Sequence, residues 1–233
     1  MNTLSVVLPV YNEKASIEKV LSEWQRELRK HPVDYRFVIC EDGSTDGTKE
    51  LLKTITKKYP ILLSQKSKRR GYGTAVLDGI AKASSRYILC VDSDGQCDPA
   101  DFGKFWENKD TADIIIGWRK NRKDAKQRKM FSYFFKKFFK FLFPTSKVHD
   151  PSAPYVLFQR RKILPLRSYL SFLIEGFWWG FCAGAAKLNL RTKEIPIVHR
   201  DRLSGKTNVY KIGKIPSIAV RNGIGLIRLR FAS

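Results

Sequence analysis

Tyr87-Ile88-Leu89-Cys90-Val91-Asp92-Ser93-Asp94-Gly95-Gln96 is a short apolar run that stops on two carboxylates one residue apart. Tyr87 to Val91 reads as a buried strand, because the run is short and carries β-branched and aromatic residues. Side chains on a strand alternate with period two, so Asp92 and Asp94 leave its C-terminal edge on one side. In open α/β sheets that edge is where ligands are held. Two hard oxygen donors there suit Mg²⁺ or Mn²⁺, ions that usually work through a substrate's phosphates. Gln96 continues the alternation and offers a carbonyl oxygen. Taken alone, the same residues also suit a solvated acidic turn, so the surrounding chain decides.

Upstream, strands and helices alternate. Leu4 to Leu8 is a strand. Glu13 to Lys30 is an amphipathic helix with Ile17, Val20, Leu21, Trp24 and Leu28 on one face. Tyr35 to Cys40 is a strand, and Ser44-Thr45-Asp46-Gly47-Thr48 starts a helix that runs to Lys58, with Asp46 or Thr45 as N-cap. Ile61 to Leu63 is a short strand, Gly71 to Ala83 contains a third helix, and Asp113 to Gly117 is a further buried strand. Such alternation predicts an α/β fold with a mostly parallel sheet covered on both faces.

The chain has 233 residues, enough to bury a core unaided, and 43% hydrophobic content argues against disorder. Its net charge of +22 calls for an anionic partner: nucleic acid, anionic lipid head groups or a phosphorylated substrate. No zinc spacing, RNP-like segment or helix-turn-helix accompanies that charge, so no nucleic-acid reader is expected. Cys40, Cys90, Cys97 and Cys182 show no C-x-x-C spacing and read as reduced thiols. No secretory signal is visible, and no run of about twenty apolar residues predicts a conventional transmembrane helix. The nearest run, Leu170 to Ala186, is interrupted by Glu175.

After residue 118 the character changes. Ten basic residues and one acid, Asp124, fall between Arg119 and Lys140, so a basic segment feeds the aromatic run Phe131 to Phe143. On a helix, Phe131, Phe134, Phe135, Phe138 and Leu142 share a face, and Lys136, Lys137 and Lys140 point mostly away from it. That pattern suits a helix lying in a membrane interface, although a core helix with a solvated lysine face has the same spacing. Ile215 to Phe231, apolar with Arg221, Arg228 and Arg230, is a candidate second surface helix.

Three loops at strand ends carry further chemistry. Pro9-Val10-Tyr11-Asn12-Glu13 offers an aromatic face for a base and, in Glu13, an acceptor; it also suits a turn with Asn12 as N-cap. Glu41 to Thr48 places Asp42 where an acid can bind a base or a ribose hydroxyl. Lys68-Arg69-Arg70-Gly71-Tyr72-Gly73 opens a helix with basic residues, an anion site by its backbone amides. It lacks a complete dinucleotide fingerprint.

In this order and spacing the first hundred or so residues closely resemble glycosyltransferase family 2, the inverting GT-A enzymes that use nucleotide sugars. The matching segments are V-V-L-P-V-Y-N-E (Val6 to Glu13), E-D-G-S-T-D-G-T (Glu41 to Thr48), R-G-Y-G-T-A (Arg70 to Ala75) and D-S-D-G-Q (Asp92 to Gln96). Ile114 to Arg119, Val148 to Tyr155 and Glu194 to Thr207 are similar to segments of dolichyl-phosphate mannose synthases and related polyprenyl-phosphate glycosyltransferases. Ser152-Ala153-Pro154 and Val156 depart from that pattern, and Glu41 stands where relatives often carry aspartate.

The resemblance implies a Rossmann-like GT-A domain over 1–208. Residues 1–118 would bind the nucleotide sugar, 119–208 would take the acceptor with an interface helix at 130–143, and 209–233 would form a basic apolar segment at the membrane surface. Pro9, Tyr11, Glu13, Asp42, Arg70, Gly71, Arg128 and Lys206 would contact the donor, with Lys206 closing over it. Asp92, Asp94 and Gln96 would hold Mg²⁺ or Mn²⁺. Arg119, Arg128 and Arg202 would grip the donor diphosphate and the acceptor phosphate, and Asp150 would orient the acceptor or sugar. The implied reaction moves a hexose from GDP-mannose or UDP-glucose to a polyprenyl or dolichyl phosphate. It would occur at the cytoplasmic face of a membrane, with the protein peripheral and a small anchoring subunit as a candidate partner. A family 2 enzyme with a saccharide or protein acceptor is the alternative, and a catalytically silent anchoring subunit is at odds with the intact carboxylate pair.

Overall fold

The structure is a computed structural model describing residues 3–120, 126–173, 175–203 and 215–232, without the side chains of 126–131, 215 and 216. In chain order the elements are β1 (Leu4–Val10), α1 (Ile17–Leu28), β2 (Tyr35–Glu41), α2 (Thr48–Ile55), β3 (Ile61–Gln65), α3 (Tyr72–Lys82) and β4 (Tyr87–Cys90). They are followed by α4 (Phe102–Glu107), β5 (Ile114–Trp118), α5 (Lys126–Leu142), β6 (Val156–Gln159), α6 (Arg160–Ile163), α7 (Phe177–Lys187), β7 (Thr192–Pro196) and α8 (Ile215–Phe231).

The strands form one sheet in the order β3-β2-β1-β4-β6-β5-β7. The expected alternation and mostly parallel pairing are present; β6 alone runs antiparallel, between β4 and β5. Period two is visible in the core. Val7, Ile88, Ile114 and Ile116 face one apolar layer with α3, α5, α7 and α8. Val6, Leu8, Leu89 and Ile115 face the other, with α1, α2 and α4. The buried face of α1 consists of Ile17, Val20, Leu21, Trp24 and Leu28, as its spacing predicts.

Helix starts differ from the sequence expectation for a local reason. The Glu13 carbonyl accepts from both Ser16 and Ile17 amides, so a turn precedes α1. The N-cap position of α2 is Gly47, with φ +89°, while Asp46 accepts from the Thr48 amide at 3.0 Å.

The aromatic stripe of α5 is divided differently from the expectation. Phe135, Phe138 and Leu142 pack on the core beside the buried Phe139 and Phe143. Phe135 and Phe139 meet Trp179 edge-on at ring separations of 4.8 and 5.4 Å. Phe134 instead faces outward with Tyr133 and Phe141. Aromatics surround more than half of the helix, so one arc docks on the protein and another is left exposed. On α8, Leu226 and Leu229 are buried, while Val220, Ile224, Ile227 and Phe231 are exposed. Among the described residues no helix is long and apolar enough to cross a membrane.

Helix α3 lies close to the sheet at Gly79, where a Cβ would meet Val7 Cγ1 and, at 3.3 Å, Cys40 Sγ. Gly79→Ala gains about 1 kcal/mol of helix propensity, but overpacking costs about 1–3 kcal/mol. The expected outcome is a net loss, read as a lower urea midpoint at unchanged slope. A raised midpoint would contradict this packing.

Candidate active site

The sheet order places the site. The chain runs outward from β1 through β2 to β3, then returns to lay β4 on the other side of β1. The direction of winding reverses there, which opens a crevice beyond the C-terminal ends of β1 and β4. Pro9 to Glu13 form one wall and Asp92 to Gln96 the other. Ser93 Oγ ties them by donating to the Pro9 carbonyl at 2.8 Å.

The loop after β1 is fastened to the loop after β2. The Asn12 amide donates to Ser44 Oγ at 2.9 Å, the Thr45 amide to Asn12 Oδ1 at 2.9 Å, and the Glu13 amide to Thr48 Oγ1 at 3.0 Å. Asp42 uses its two carboxylate oxygens on the amides of Arg70 and Gly71, at 2.8 and 2.7 Å. It therefore positions the loop before α3. The Arg70 guanidinium pairs with Asp78 on α3. Arg69 lies over the Tyr11 ring, 4.0 Å from its centre, so it covers the aromatic face that the sequence offers to a base.

Asp92 and Asp94 extend from β4 into the crevice. Burial, and then the charge of Asp94, raise the Asp92 carboxyl well above the usual range, against the opposing Tyr72 hydrogen bond and the Arg119 and Arg202 charges. Asp94 Oδ1 accepts from the Gln96 amide at 3.0 Å. The Gln96 side-chain amide donates to the Arg200 carbonyl at 3.4 Å. Arg202 lies between Glu13, which it contacts, and Asp94 at 3.4 Å. Glu13 is itself buried, and that burial raises its carboxyl against the Ser16 and Arg202 contacts. The stretch after β7 crosses this motif: the Leu203 amide donates to the Asp94 carbonyl, and Leu203 packs where a Cβ on Gly95, φ +80°, would stand.

Strand β6 accounts for the second half of the site. Because it runs antiparallel, its start lies beside the ends of β4 and β5, with Val156 opposite both Cys90 and Ile116. The preceding residues are thereby delivered to the same edge. Asp150 receives Arg119 in a fork, Nε to Oδ2 at 2.8 Å and a terminal nitrogen to Oδ1 at 3.0 Å, with Ser152 Oγ as a third acceptor at 2.8 Å. Burial opposes the Arg119 charge, but the bonds to Asp150 outweigh it and keep the guanidinium protonated. Glu194 accepts the amides of His149 and Asp150 at 2.8 and 2.9 Å and meets His149 Nδ1 at 2.6 Å.

Of the residues expected at the site, Pro9, Glu13, Asp92, Asp94, Arg119, Asp150 and Arg202 therefore converge. Tyr11, Asp42, Arg70 and Gly71 build the adjoining wall. Lys206 and the Arg128 side chain lie outside the described residues. The sequence reading missed Arg69, Tyr72, Ser152 and Glu194 as individual contributors. Tyr72, Ser152 and Glu194 each had one signal, a place in a matched segment, and Arg69 had only the basic run before α3.

The donor set suits a hard divalent ion. Glu13, Asp92, Asp94 and Asp150 face two guanidiniums, Arg119 and Arg202, which leaves an excess of acid. Among the described residues no group of three His, Cys, Asp or Glu side chains could hold an ion. Two carboxylates suit an ion whose remaining positions are filled by phosphate and water, the usual arrangement for Mg²⁺.

Residues 5–165 match the family described as glycosyl transferase family 2. The chain is 32% identical over 117 residues to a dolichol-phosphate mannosyltransferase of Pyrococcus furiosus, covering 50% of this chain and 33% of that one. It is 30% identical over 126 residues to a dodecaprenyl-phosphate galacturonate synthase of Rhizobium johnstonii, covering 52% and 37%. The match thus spans about a third of each relative. Glucosyl-3-phosphoglycerate synthase of Mycobacterium tuberculosis, solved with Mn²⁺, UDP-glucose and glycerol 3-phosphate, superposes with a TM-score of 0.69 at 19% identity. That likeness covers 98% of this chain and 80% of the other, and it bears out the GT-A fold.

The Arg119–Asp150 pair is well shielded, with side chains 8% and 13% exposed. Asp150→Ala strands a buried guanidinium, which costs about 3–5 kcal/mol. Urea unfolding should report that loss, and a change below about 1 kcal/mol would mean that solvent reaches Arg119 freely.

Proposed function

Because this chain belongs to glycosyltransferase family 2, we propose that it transfers a hexose from a nucleotide sugar, GDP-mannose or UDP-glucose, to a polyprenyl or dolichyl phosphate with inversion. The observation that carries this reading is the Asp92–Asp94 pair in the crevice, with the Arg119–Asp150 fork delivered beside it by β6. In this reading residues 1–118 bind the donor and 119–208 the acceptor.

A phosphate acceptor is already anionic at neutral pH, so it attacks without a strong general base. One of its oxygens bonds to the anomeric carbon as the bond from that carbon to the diphosphate oxygen breaks, and the nucleoside diphosphate leaves with the electron pair. Asp92 and Asp94 would hold Mg²⁺ or Mn²⁺, which when bound supplies Lewis-acid neutralisation of the diphosphate. Arg202, placed between Glu13 and Asp94, reaches the diphosphate side of the crevice. Arg119, fixed by Asp150 and Ser152, offers its field to the incoming phosphate without moving. The His149–Glu194 contact favours a second reading, in which a supported imidazole takes a proton from a hydroxyl acceptor.

The outward aromatics of α5 and the exposed aliphatic residues of α8 belong to contacting helices. With Lys137 and Lys140 exposed on α5 and a net charge of +22, they suit an anionic leaflet. We assign this surface to peripheral contact with the membrane that carries the acceptor, at its cytoplasmic face.

The test is an assay of GDP-mannose, UDP-glucose and UDP-N-acetylglucosamine against a polyprenyl phosphate, a glycoside and a hydroxyl-bearing peptide, with and without Mn²⁺. Transfer to the lipid that needs Mn²⁺ and falls at least a hundredfold in Asp94→Ala is expected. Transfer only to a hydroxyl would establish the second reading, and no transfer from any donor would overturn both. For the membrane surface, Phe134→Ser with Phe141→Ser should weaken binding to anionic vesicles at least tenfold, since each buried phenyl is worth about 1.5–3 kcal/mol. Unchanged cosedimentation would contradict that contact.

A further inference from the structure

A chain of hydrogen bonds joins the two halves of the molecule behind the carboxylate pair. Trp178 Nε1 lies 2.8 Å from the Tyr72 hydroxyl, and that hydroxyl lies 2.7 Å from Asp92 Oδ1. Its direction follows from chemistry. An indole nitrogen only donates, so the phenol accepts from Trp178 and has one proton left, which it gives to Asp92. Tyr72 is the first residue of α3 and Trp178 the second of α7, 106 positions apart in the chain. Trp178 is held in turn by edge-on contacts with Phe177 and Phe181, at 5.0 and 5.5 Å between ring centres. Trp178 as a whole is 6% exposed, so its ring has little room to turn.

We propose that Tyr72 and Trp178 are positioning residues that fix the Asp92 carboxylate in the orientation needed to ligate the divalent ion of the donor. The inference rests on the donor-site reading above and deepens it. Neither residue touches the reacting atoms. Tyr72 occupies Oδ1 from behind, which stops the carboxylate from rotating and leaves Oδ2 as the oxygen free to ligate. Trp178 keeps the phenol from turning away. The arrangement also makes metal affinity depend on where α7 sits, because one donor–acceptor chain leads from that helix to the ligand. This role explains why a tyrosine stands in R-G-Y-G-T-A between two glycines: the loop is bound by Asp42 through Arg70 and Gly71, so the next side chain is aimed at β4.

The experiment is a calorimetric titration of Mn²⁺ into the protein with a saturating nucleoside diphosphate. Wild type is compared with Tyr72→Phe, Trp178→Phe and the double variant, with a thermal melt of each. Tyr72→Phe removes only the hydroxyl and should weaken Mn²⁺ binding about five- to tenfold, with the melting midpoint little changed. Trp178→Phe should weaken it about two- to fivefold. The double variant should be no weaker than Tyr72→Phe, because Trp178 acts through the phenol and the effects are non-additive. Kinetics should show the same rise in the Mn²⁺ concentration needed for half-maximal rate, with kcat at saturating Mn²⁺ reduced less than threefold. If wild type binds Mn²⁺ and Tyr72→Phe binds it equally well, or the two single effects simply add, the relay is overturned while the donor site stands. If wild type binds no Mn²⁺ in the presence of UDP or GDP, the donor-site reading fails and this inference falls with it.

Discussion

The structure depends on the repulsion between carboxylates at the end of β4. Asp94 is buried and Asp92 half-buried beside it, and desolvation together with their mutual charge makes the ionised pair costly. A fold that only had to be stable would replace them. Here the surrounding elements are arranged around that cost: Tyr72 donates to one oxygen, Arg202 approaches Asp94, and Arg119 adds its field from the end of β5. These contacts offset the repulsion in part, and in the proposed reading a cation that arrives with its own phosphates offsets the rest.

The sheet topology is what makes the arrangement possible. Winding reversal at β1 opens the crevice, and the antiparallel β6 brings Asp150 and Ser152 to the same edge as the carboxylate pair. Glu194 on β7 then fixes the backbone of His149 and Asp150, so this wall is anchored on the sheet rather than on a free loop. Both walls of the crevice therefore rest on one sheet, and in the proposed reading that placement serves the precise positioning of two reactants.

Much of this was legible in the sequence, and the limits have physical causes. The first hundred residues read clearly because β1, β2 and β4 are short apolar runs and α1 has a regular amphipathic period, so local pattern and tertiary burial agree. The Asp92–Asp94 pair was legible from its place just after an apolar strand, although β4 ends at Cys90 and the pair sits in the bend that follows, where alternation no longer applies. Tyr11 and Asp42 were placed in the right loops, yet their immediate partners, Arg69 and the amides of Arg70 and Gly71, come from a third loop that periodicity cannot align. On α5 the aromatic content defeats a one-face reading, since Phe134 and Phe141 stay outside while Phe139 and Phe143 go in. The Trp178–Tyr72 bond spans 106 positions, and no local pattern marks it.

The central claim is that the crevice between β1 and β4 holds a nucleoside diphosphate through a divalent ion on Asp92 and Asp94. The most direct measurement is a crystal structure of the protein grown with Mn²⁺ and UDP or GDP, with anomalous scattering used to locate manganese. The account predicts a single strong manganese peak within bonding distance of both carboxylates, with the diphosphate beside it. A nucleotide bound elsewhere, or manganese absent from this pair with the diphosphate bound, would contradict it.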